Sequence, residues 1–275
     1  MSKVAFQGER GAFSEDAAYH FFHKNIYPHT RQKFRDVFES VKIRQCDFGI
    51  IPIENTFTGS IHQNVDLLLE FDLSIVGELI LRIKHNLLGV KGSTMKDIQK
   101  IYSHPQALEQ SSFFLDKIES VSVIPMYDTA GSAKFVAEKN DKHLASIASL
   151  RACKDYNLKV LKEGIESNHQ NYTRFVVIAP ESRNLEKGGK TSIVFSTKDI
   201  PGALFKSLSV FALRDINLLK IESRPLRKGP WKYYFYLDFE GSIEEEACQN
   251  AINHLKEITN FLKVLGSYEK GNVYD

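Results

Sequence analysis

The five residues 171–175, with the sequence NYTRF, place a hydroxyl, a cation and an aromatic ring at the start of an apolar run, 176–179. The run is typical of a buried strand, in which alternation puts Thr173 and Phe175 on one face and Arg174 on the other. A hydroxyl at the end of a strand could donate a proton to a leaving oxygen. Taken alone, the segment favours a threonine that only begins a strand, so a catalytic interpretation depends on other segments.

Five further polar segments lie where a predicted strand ends and a predicted helix begins. They are 7–14, 52–56, 103–106, 128–133 and 145–149. In open α/β sheets, ligands bind at these carboxyl ends of strands, where the first N–H groups of a helix can face an anion. These segments are therefore the candidates for a binding site.

Two of the segments carry side chains that could hold a substrate. Asn55 and Thr56 can donate hydrogen bonds, although both also suit the capping of a helix. Gln106 and Gln110 lie four residues apart on a predicted helix and share one face. His104 precedes that helix and could be an acid, a base or a structural residue. Together these side chains predict a small, neutral-polar site for a compact anionic substrate.

The sequence argues against several other kinds of site. Gly8 and Gly11 lack the spacing of a dinucleotide-binding turn, and the sequence contains no phosphate-binding loop. Cys46, Cys153 and Cys248 are odd in number and far apart, which indicates neither a disulfide framework nor a zinc site. We expect no metal and no cofactor.

Composition is ordinary for a soluble globular protein, with 43% hydrophobic and 25% charged residues in a chain of 275. A net charge of +2 gives no sign of a nucleic-acid or membrane surface. The stretch 73–90, which is among the longest apolar stretches, carries four ionisable side chains and is not expected to span a bilayer. The N-terminus leads directly into a predicted strand without a signal-peptide pattern, so we expect a cytoplasmic protein.

The patterns predict two domains. Residues 1–180 alternate short apolar strands with helical patterns, which favours an α/β domain with a largely parallel sheet. The stretch 73–90 is expected to be a pair of strands that crosses between two lobes. Residues 181–190, with charges and a Gly-Gly pair, predict a linker. Residues 191–275 follow the ferredoxin-like βαββαβ plan.

Element boundaries follow the same patterns. Strands are predicted over 4–6, 47–53, 100–103, 121–126, 143–147, 174–179, 191–196, 216–223, 231–239 and 261–267. Helices are predicted over 13–23, 37–44, 61–70, 105–117, 130–139, 149–156, 202–214 and 243–258.

Taken in order, the polar segments resemble the motifs of the prephenate dehydratase family. The matching pieces are Gly-x-x-Gly-Ala-Phe-Ser from Gly8, Pro-Ile-Glu-Asn from Pro52, Ser-His-Pro-Gln-Ala-Leu from Ser103, a Thr-Ala-rich turn from Asp128, Ala-Ser-Ile-Ala-Ser from Ala145, and Asn-Tyr-Thr-Arg-Phe from Asn171. Each piece is weak alone, but six in order over nearly the whole chain are a specific signal. Thr56 stands where the family usually has serine, and Ser167 stands where aspartate is common.

The resemblance implies a two-lobed, periplasmic-binding-protein-like catalytic domain that needs no cofactor. Its reaction removes a hydroxyl as water and a carboxylate as carbon dioxide from prephenate, which gives phenylpyruvate for L-phenylalanine biosynthesis. By resemblance, Thr173 would donate to the leaving hydroxyl as one end of a hydrogen-bond relay, and general-acid help of this kind is worth about 10²–10⁴-fold. The residues implied to bind substrate are Asn55, Thr56, Ser103, Gln106, Thr129, Ser149, Arg174 and Phe175.

The C-terminal module resembles an ACT regulatory domain, which implies a phenylalanine site between paired modules and feedback inhibition. The residues implied to form that site are Gly202, Ala203, Leu204, Asn217, Leu218, Glu222 and Ser223. A glycine at a helix start lets N–H groups reach a carboxylate, and Glu222 could attract the ammonium, unless Arg224 is its structural partner. Exposed strand edges usually pair across a symmetry axis, so we expect a homodimer or homotetramer.

Two alternatives stay open. Arogenate dehydratase removes the same groups from the transaminated substrate, and a single contact to a keto or amino group would separate the two activities. A non-catalytic amino-acid sensor is the alternative of another class, because two-lobed α/β domains also serve as small-molecule binding proteins. Thr173 together with Phe175 argues against a sensor, since a pure binding protein needs no hydroxyl donor at that position.

Overall fold

The computed structural model describes residues 1–23, 25–182, 185–225 and 233–275. Two compact units interleave along the chain. The first unit comprises Met1–His62, Leu79–Phe175 and Val273–Asp275, and the second comprises Gln63–Glu78 and Val176–Asn272. The domain boundaries that we drew from the sequence at 180 and 191 stay a prediction.

Strands and helices alternate through most of the described residues. The strands are β1 (Ser2–Gln7), β2 (Ile26–Arg31), β3 (Phe48–Asn55), β4 (Gly59–Ser60), β5 (Ser74–Arg82), β6 (Asn86–Gly89), β7 (Lys100–Ser103), β8 (Ser122–Pro125), β9 (Leu144–Ala148), β10 (Lys159–Lys162), β11 (Tyr172–Ala179), β12 (Lys190–Thr197), β13 (Leu218–Pro225), β14 (Tyr233–Glu240), β15 (Thr259–Tyr268) and β16 (Val273–Tyr274). The helices are α1 (Phe13–Phe21), α2 (Phe34–Lys42), α3 (His62–Glu70), α4 (Pro105–Gln110), α5 (Ser112–Leu115), α6 (Thr129–Lys139), α7 (Leu150–Asp155), α8 (Ala203–Ala212) and α9 (Glu246–Ile258).

The first sheet has the strand order β16-β5-β11-β3-β1-β2, with β4 paired to β3. Strand β1 runs parallel to both β2 and β3, as expected where each strand returns through a helix. Its central residues Val4, Ala5 and Phe6 are fully buried. Their continuous burial matches an apolar strand covered on both faces.

The second sheet has the order β10-β6-β9-β7-β8. Strand β7 is parallel to β8 and β9, whereas β6 is antiparallel to β9 and β10. The sheet is therefore mixed, and the expectation of a largely parallel arrangement is only partly met. The predicted strand pair over 73–90 is formed by β5 and β6, which belong to different sheets.

The third sheet is antiparallel, with the order β13-β14-β12-β15. With α8 and α9 it completes the βαββαβ order, and both helices pack on a core that includes Phe195, Phe211 and Phe239. The α/β fold class predicted from the sequence is confirmed. The prediction of a strand over 231–239 falls partly outside the described residues, since β14 is described from Tyr233.

Some predicted boundaries were wrong for identifiable reasons. The single helix predicted over 105–117 is two helices, α4 and α5, with a break at Ser111. Strand β2 was missed because it contains Pro28 and lies at the edge of its sheet, where the sequence need not alternate. None of the helices in the described part of the chain has the length and apolar character needed to cross a membrane.

Candidate active site

A cavity of about 370 Å³ lies within the first unit, a size that suits a small-molecule ligand. Its lining comprises Gln7, Ala12, Phe13, Ser14, Phe34, Pro52, Asn55, Thr58, Ile61, Ile83, His85, His104, Gln106, Ala107, Gln110, Tyr127, Asp128, Thr129, Thr173 and Phe175. The polar groups are mainly amides, hydroxyls and imidazoles, and this lining contains neither lysine nor arginine. The neutral-polar character expected from the sequence is therefore present in this cavity, apart from the Asp128 carboxylate.

Three strand–helix junctions supply much of the lining. Strand β1 ends at Gln7, and α1 begins at Phe13. His104 caps α4 by accepting a hydrogen bond at Nδ1 from the backbone N–H of Gln106, at 3.2 Å. Asp128 caps α6 and also accepts from the backbone N–H of Glu9, at 3.0 Å. The last bond ties the turn after β1 to the start of α6 beside the cavity.

Strand β11 divides its side chains as the alternation predicts. Thr173 and Phe175 line the cavity, and both are largely buried. Arg174 is absent from the lining, and its guanidinium lies 3.6 Å from the Glu54 carboxylate. An aromatic wall and a hydroxyl therefore face the cavity from one strand.

The orientation of the Asn55 amide is fixed by the backbone. Its Oδ1 accepts hydrogen bonds from the backbone N–H groups of Phe57 at 3.0 Å and Thr58 at 3.2 Å. Its Nδ2 must therefore face the other way, which settles the amide assignment that distance alone leaves open. One hydrogen of Nδ2 goes to Asn171 Oδ1 at 2.8 Å. The other is shared between Thr173 Oγ1 at 3.0 Å and the Tyr172 carbonyl at 3.1 Å.

The Thr173 hydroxyl accepts from Asn55 and has no acceptor of its own among the described residues. A hydroxyl carries one hydrogen and two lone pairs, so a bound Oγ1 lone pair leaves the hydrogen available to a ligand. The geometry therefore presents Thr173 to the cavity as a hydrogen-bond donor.

The same polarity continues beyond Asn171. Because Asn171 Oδ1 faces Asn55, its Nδ2 donates to Gln110 Oε1 at 3.0 Å. The imidazole Nε2 of His85 lies 2.9 Å from the same Gln110 oxygen. A bond at that distance requires hydrogen on Nε2, and a neutral His85 then carries a bare Nδ1. We call Asn55, Asn171, Gln110 and His85 the amide chain.

His85 is the member of the amide chain that the sequence did not indicate as a site residue. It is 2% exposed and packs edge-on against Phe13, with ring centroids 5.7 Å apart. Burial lowers the pKa of His85, against weaker opposing effects of the Gln110 hydrogen bond and the Glu166 charge. A lone histidine inside an apolar stretch gives no periodic signal, so sequence patterns could not have found it.

Four of the predicted substrate-binding residues lie away from the lining. Thr56 Oγ1 donates to the Gln170 carbonyl at 2.9 Å, and Ser103 Oγ donates to the Ile147 carbonyl at 2.6 Å. Ser149 Oγ donates to the Gly11 carbonyl at 2.6 Å, and the fourth is Arg174. Of the predicted set, the cavity brings together Asn55, Gln106, Thr129, Thr173 and Phe175.

The second unit contains the residues predicted to form an effector site. Gly202 precedes α8 with a φ of +74°, a left-handed conformation that favours glycine, and Ala203 and Leu204 follow it. The backbone carbonyl of Asn217 accepts from Glu240, and β13 begins at Leu218.

Two basic residues of β13 lie against carboxylates. Glu222, which lies next to Ser223 on β13, has a carboxylate 3.3 Å from Lys220 Nζ. Arg224 lies 3.3 Å from Asp66, so the structure gives this arginine a partner other than the one considered from the sequence.

The fold and the cavity together define an α/β protein with a small-molecule site rich in neutral donors. A family model described as prephenate dehydratase matches residues 4–183. The chain therefore belongs to the prephenate dehydratase family, and it is an enzyme of the dehydratase, or lyase, class.

Two similar proteins are named for this activity, and a third similar structure is named for a different one. Arogenate dehydratase/prephenate dehydratase 2 of Arabidopsis thaliana, a chloroplastic protein, is 45% identical over 281 residues, which cover 97% of this chain and 72% of the relative. Prephenate dehydratase from Arthrobacter aurescens, solved in complex with L-Phe, superposes with a TM-score of 0.88 at 27% identity and covers 98% of this chain and 90% of its own. GqqA, described as a novel type of quorum quenching acylase, also has a TM-score of 0.88, at 29% identity and 98% coverage of both chains.

Proposed function

We propose that this protein catalyses the decarboxylative dehydration of prephenate to phenylpyruvate in the cavity of the first unit. The observation that carries the proposal is the Thr173 hydroxyl, which accepts from Asn55 and is left with its hydrogen for a ligand. Family membership and the name of the Arabidopsis relative support the same reaction.

The reaction asks little covalent chemistry of the protein. The C–O bond to the ring hydroxyl breaks as the oxygen takes a proton and leaves as water. The C–C bond to the ring carboxylate breaks and releases carbon dioxide, and its electron pair completes the aromatic ring. Thr173 assists the departing oxygen by hydrogen bonding, and Phe175 forms a wall beside the ring that excludes water.

Neutral donors would hold the substrate carboxylates. Asn55, Gln106 and Thr129 line the cavity, and the first turn of α1 adds backbone N–H groups. Preorganised donors in a site that excludes water stabilise charge more strongly than the same groups do in water. Thr56, Ser103, Ser149 and Arg174 would support the site from behind, since their contacts are to protein groups.

The second unit would supply feedback control. We assign L-phenylalanine to a site formed by Gly202, Ala203, Leu204, Asn217, Leu218, Glu222 and Ser223 in an ACT domain. Binding of L-Phe by the Arthrobacter relative supports this assignment. Paired modules would make the protein a homodimer or homotetramer, and we propose that it works in the cytoplasm.

Arogenate is the alternative substrate, because the Arabidopsis relative carries both activities in its name. The test is to incubate the purified protein with each substrate at neutral pH and to follow phenylpyruvate and phenylalanine separately. Phenylpyruvate from prephenate, suppressed by added phenylalanine, is the expected result. Turnover of arogenate but not of prephenate would make arogenate the substrate. Binding of either compound without turnover would favour a non-catalytic sensor.

A further inference from the structure

His85 belongs to the cavity wall but has no part in the proposed reaction. Its side chain is 2% exposed, and its Nε2 lies at hydrogen-bond distance, 2.9 Å, from Gln110 Oε1. Nδ1 is buried and has no partner among the described residues. A buried polar atom without a partner is costly, so its retention here calls for a reason.

The reason lies in the orientation of Gln110. Its Oε1 accepts from both Asn171 Nδ2 at 3.0 Å and His85 Nε2, while its Nε2 is buried without a partner in the described part of the chain. Gln110 lines the cavity, so the two hydrogens of Nε2 are left for a ligand. If the Gln110 amide were reversed, its Nε2 would face the two donors Asn171 Nδ2 and His85 Nε2, and its oxygen would face an anionic substrate.

Burial lowers the pKa of His85 by more than the nearby Glu166 charge raises it. The backbone N–H of His85 donates to Glu166 Oε2 at 3.0 Å. The other oxygen of Glu166 lies 3.7 Å from Arg82 and 3.3 Å from the His169 ring, and Phe13 on α1 contributes no charge. The Glu166 carboxylate therefore already has basic neighbours, and burial holds the pKa of His85 below its ordinary value.

We propose that His85 is a positioning residue. Its neutral imidazole donates from Nε2–H to Gln110 Oε1, and this bond holds the Gln110 amide with the amide's own Nε2 directed at the substrate. This inference rests on the proposed function, since it gives Gln110 an anionic partner. His85 itself need not contact the substrate.

Two substitutions of His85 distinguish the contribution of the Nε2–H donor from that of the other ring atoms. His85→Gln can place an N–H₂ group near the position of Nε2, whereas His85→Asn reaches only as far as Nδ1. We expect His85→Asn to lower kcat/KM by about 10²-fold, the loss seen when one oriented donor is removed from a site. His85→Gln should recover a large part of that loss. Equal losses in two folded variants, or a smaller loss for asparagine than for glutamine, would overturn the proposal.

A double substitution tests whether His85 acts through Gln110. If it does, His85→Asn should add little to the loss caused by Gln110→Ala alone, because both changes remove the same donor from the site. Losses that multiply would show that His85 acts independently and would contradict the proposal. The same comparison can be made with the affinity for phenylpyruvate, measured by calorimetry.

Nuclear magnetic resonance gives a result that does not depend on turnover. Long-range ¹H–¹⁵N spectra at neutral pH should show His85 with hydrogen on Nε2 and none on Nδ1, assigned by the loss of its signals in His85→Gln. A ring with hydrogen on Nδ1, or one charged at both nitrogens, would overturn the inference even in an active enzyme. If His85 shows the expected tautomer but the protein turns over neither prephenate nor arogenate, the result would contradict the proposed function alone.

Discussion

At the scale of single residues, the hydroxyl of Thr173 is oriented by backbone groups two hydrogen bonds away. The N–H groups of Phe57 and Thr58 fix the Asn55 amide, and Asn55 then donates to Thr173. A hydroxyl has little acidity of its own, so the geometry matters more than the pKa of the side chain. Hydrogen bonding to the departing oxygen is the contribution that this arrangement can make.

Thr173→Ala should lower kcat by about 10²–10⁴-fold, because it removes the donor to the leaving oxygen. Steady-state kinetics with prephenate would measure the loss, and circular dichroism would show that the fold persists. Thr173→Ser is the matched control, since it keeps the hydroxyl and should retain most of the turnover. An alanine variant with near-normal kcat would exclude Thr173 from the mechanism.

His85 should make stability depend on pH in the acidic range. Burial lowers its pKa in the folded state below the ordinary value of 6.5, so the unfolded chain binds a proton first as the pH falls. The resulting stability is fully present above about pH 6.5 and is lost as the pH falls through the folded-state pKa. Urea unfolding of the wild type and of His85→Gln, between pH 7.5 and 5, should show a steeper decline for the wild type. Parallel curves would contradict the lowered pKa.

At the scale of elements, the turn between β1 and α1 depends on a close approach of two backbones. Gly11 has a φ of +86°, and a Cβ at this position would lie 2.5 Å from the Cα of Ala152 on α7. The adjoining Ser149 hydroxyl donates to the Gly11 carbonyl. A side chain at Gly11 would therefore push α7 away from the turn that leads into the cavity.

Gly11→Ala should destabilise the protein by more than the roughly 1–2 kcal/mol cost of a left-handed alanine, because the clash adds to the strain. Gly164 is the matched control, since its φ is +60° and a Cβ added there would meet no atom within 4 Å among the described residues. Gly164→Ala should therefore show the backbone cost alone. If Gly11→Ala and Gly164→Ala shift the midpoint of thermal unfolding equally, α7 must move away from the new side chain without loss of stability.

A second element-scale prediction concerns the ion cluster that joins β12 to β5 and β14 within the second unit. Lys190 Nζ lies 2.9 Å from Glu78 and 3.4 Å from Asp238, and all three residues are buried. Lys190→Met should cost about 3–5 kcal/mol, because it removes the cation that lies against two buried carboxylates. Lys270→Met is the control, since Lys270 and Glu240 pair at an exposed site, where such pairs contribute about 0–1 kcal/mol. Chemical unfolding that ranks the variants in the reverse order would contradict this account.

At the scale of the whole molecule, the question is whether the effector and the substrate respond to each other. If phenylalanine lowers the affinity for prephenate, linkage requires that prephenate lower the affinity for phenylalanine by the same factor. This linkage does not depend on how the effect is transmitted between the sites or on the number of subunits.

Phenylalanine should therefore raise the apparent stability, by about 2.7 kcal/mol at 100 times its Kd. Glu222→Gln should weaken this effect, since it removes the charge proposed to attract the ammonium group, while turnover without phenylalanine should stay unchanged. Differential scanning calorimetry over a range of phenylalanine concentrations would measure both proteins. Identical midpoints with and without phenylalanine in the wild type would remove the proposed effector site.

The sequence by itself determined the features that depend on neighbouring residues. Alternation placed Thr173 and Phe175 on one face of β11. The polar segments between predicted strands and helices located the starts of α1, α4 and α6 beside the site. The βαββαβ order followed from apolar periodicity, which each element carries within its own residues. The family motifs are likewise local, so their order along the chain was sufficient to identify the family.

Only the tertiary structure decided which polar side chains face the cavity and which way each amide points. Ser103 and Ser149 follow the same strand-end pattern as Asn55, yet their hydroxyls donate to backbone carbonyls away from the lining. The bonds of the amide chain join residues 116, 61 and 25 positions apart, from Asn55 to Asn171, to Gln110 and to His85. Sequence patterns report local periodicity, whereas hydrogen-bond polarity is set by partners that only folding brings together.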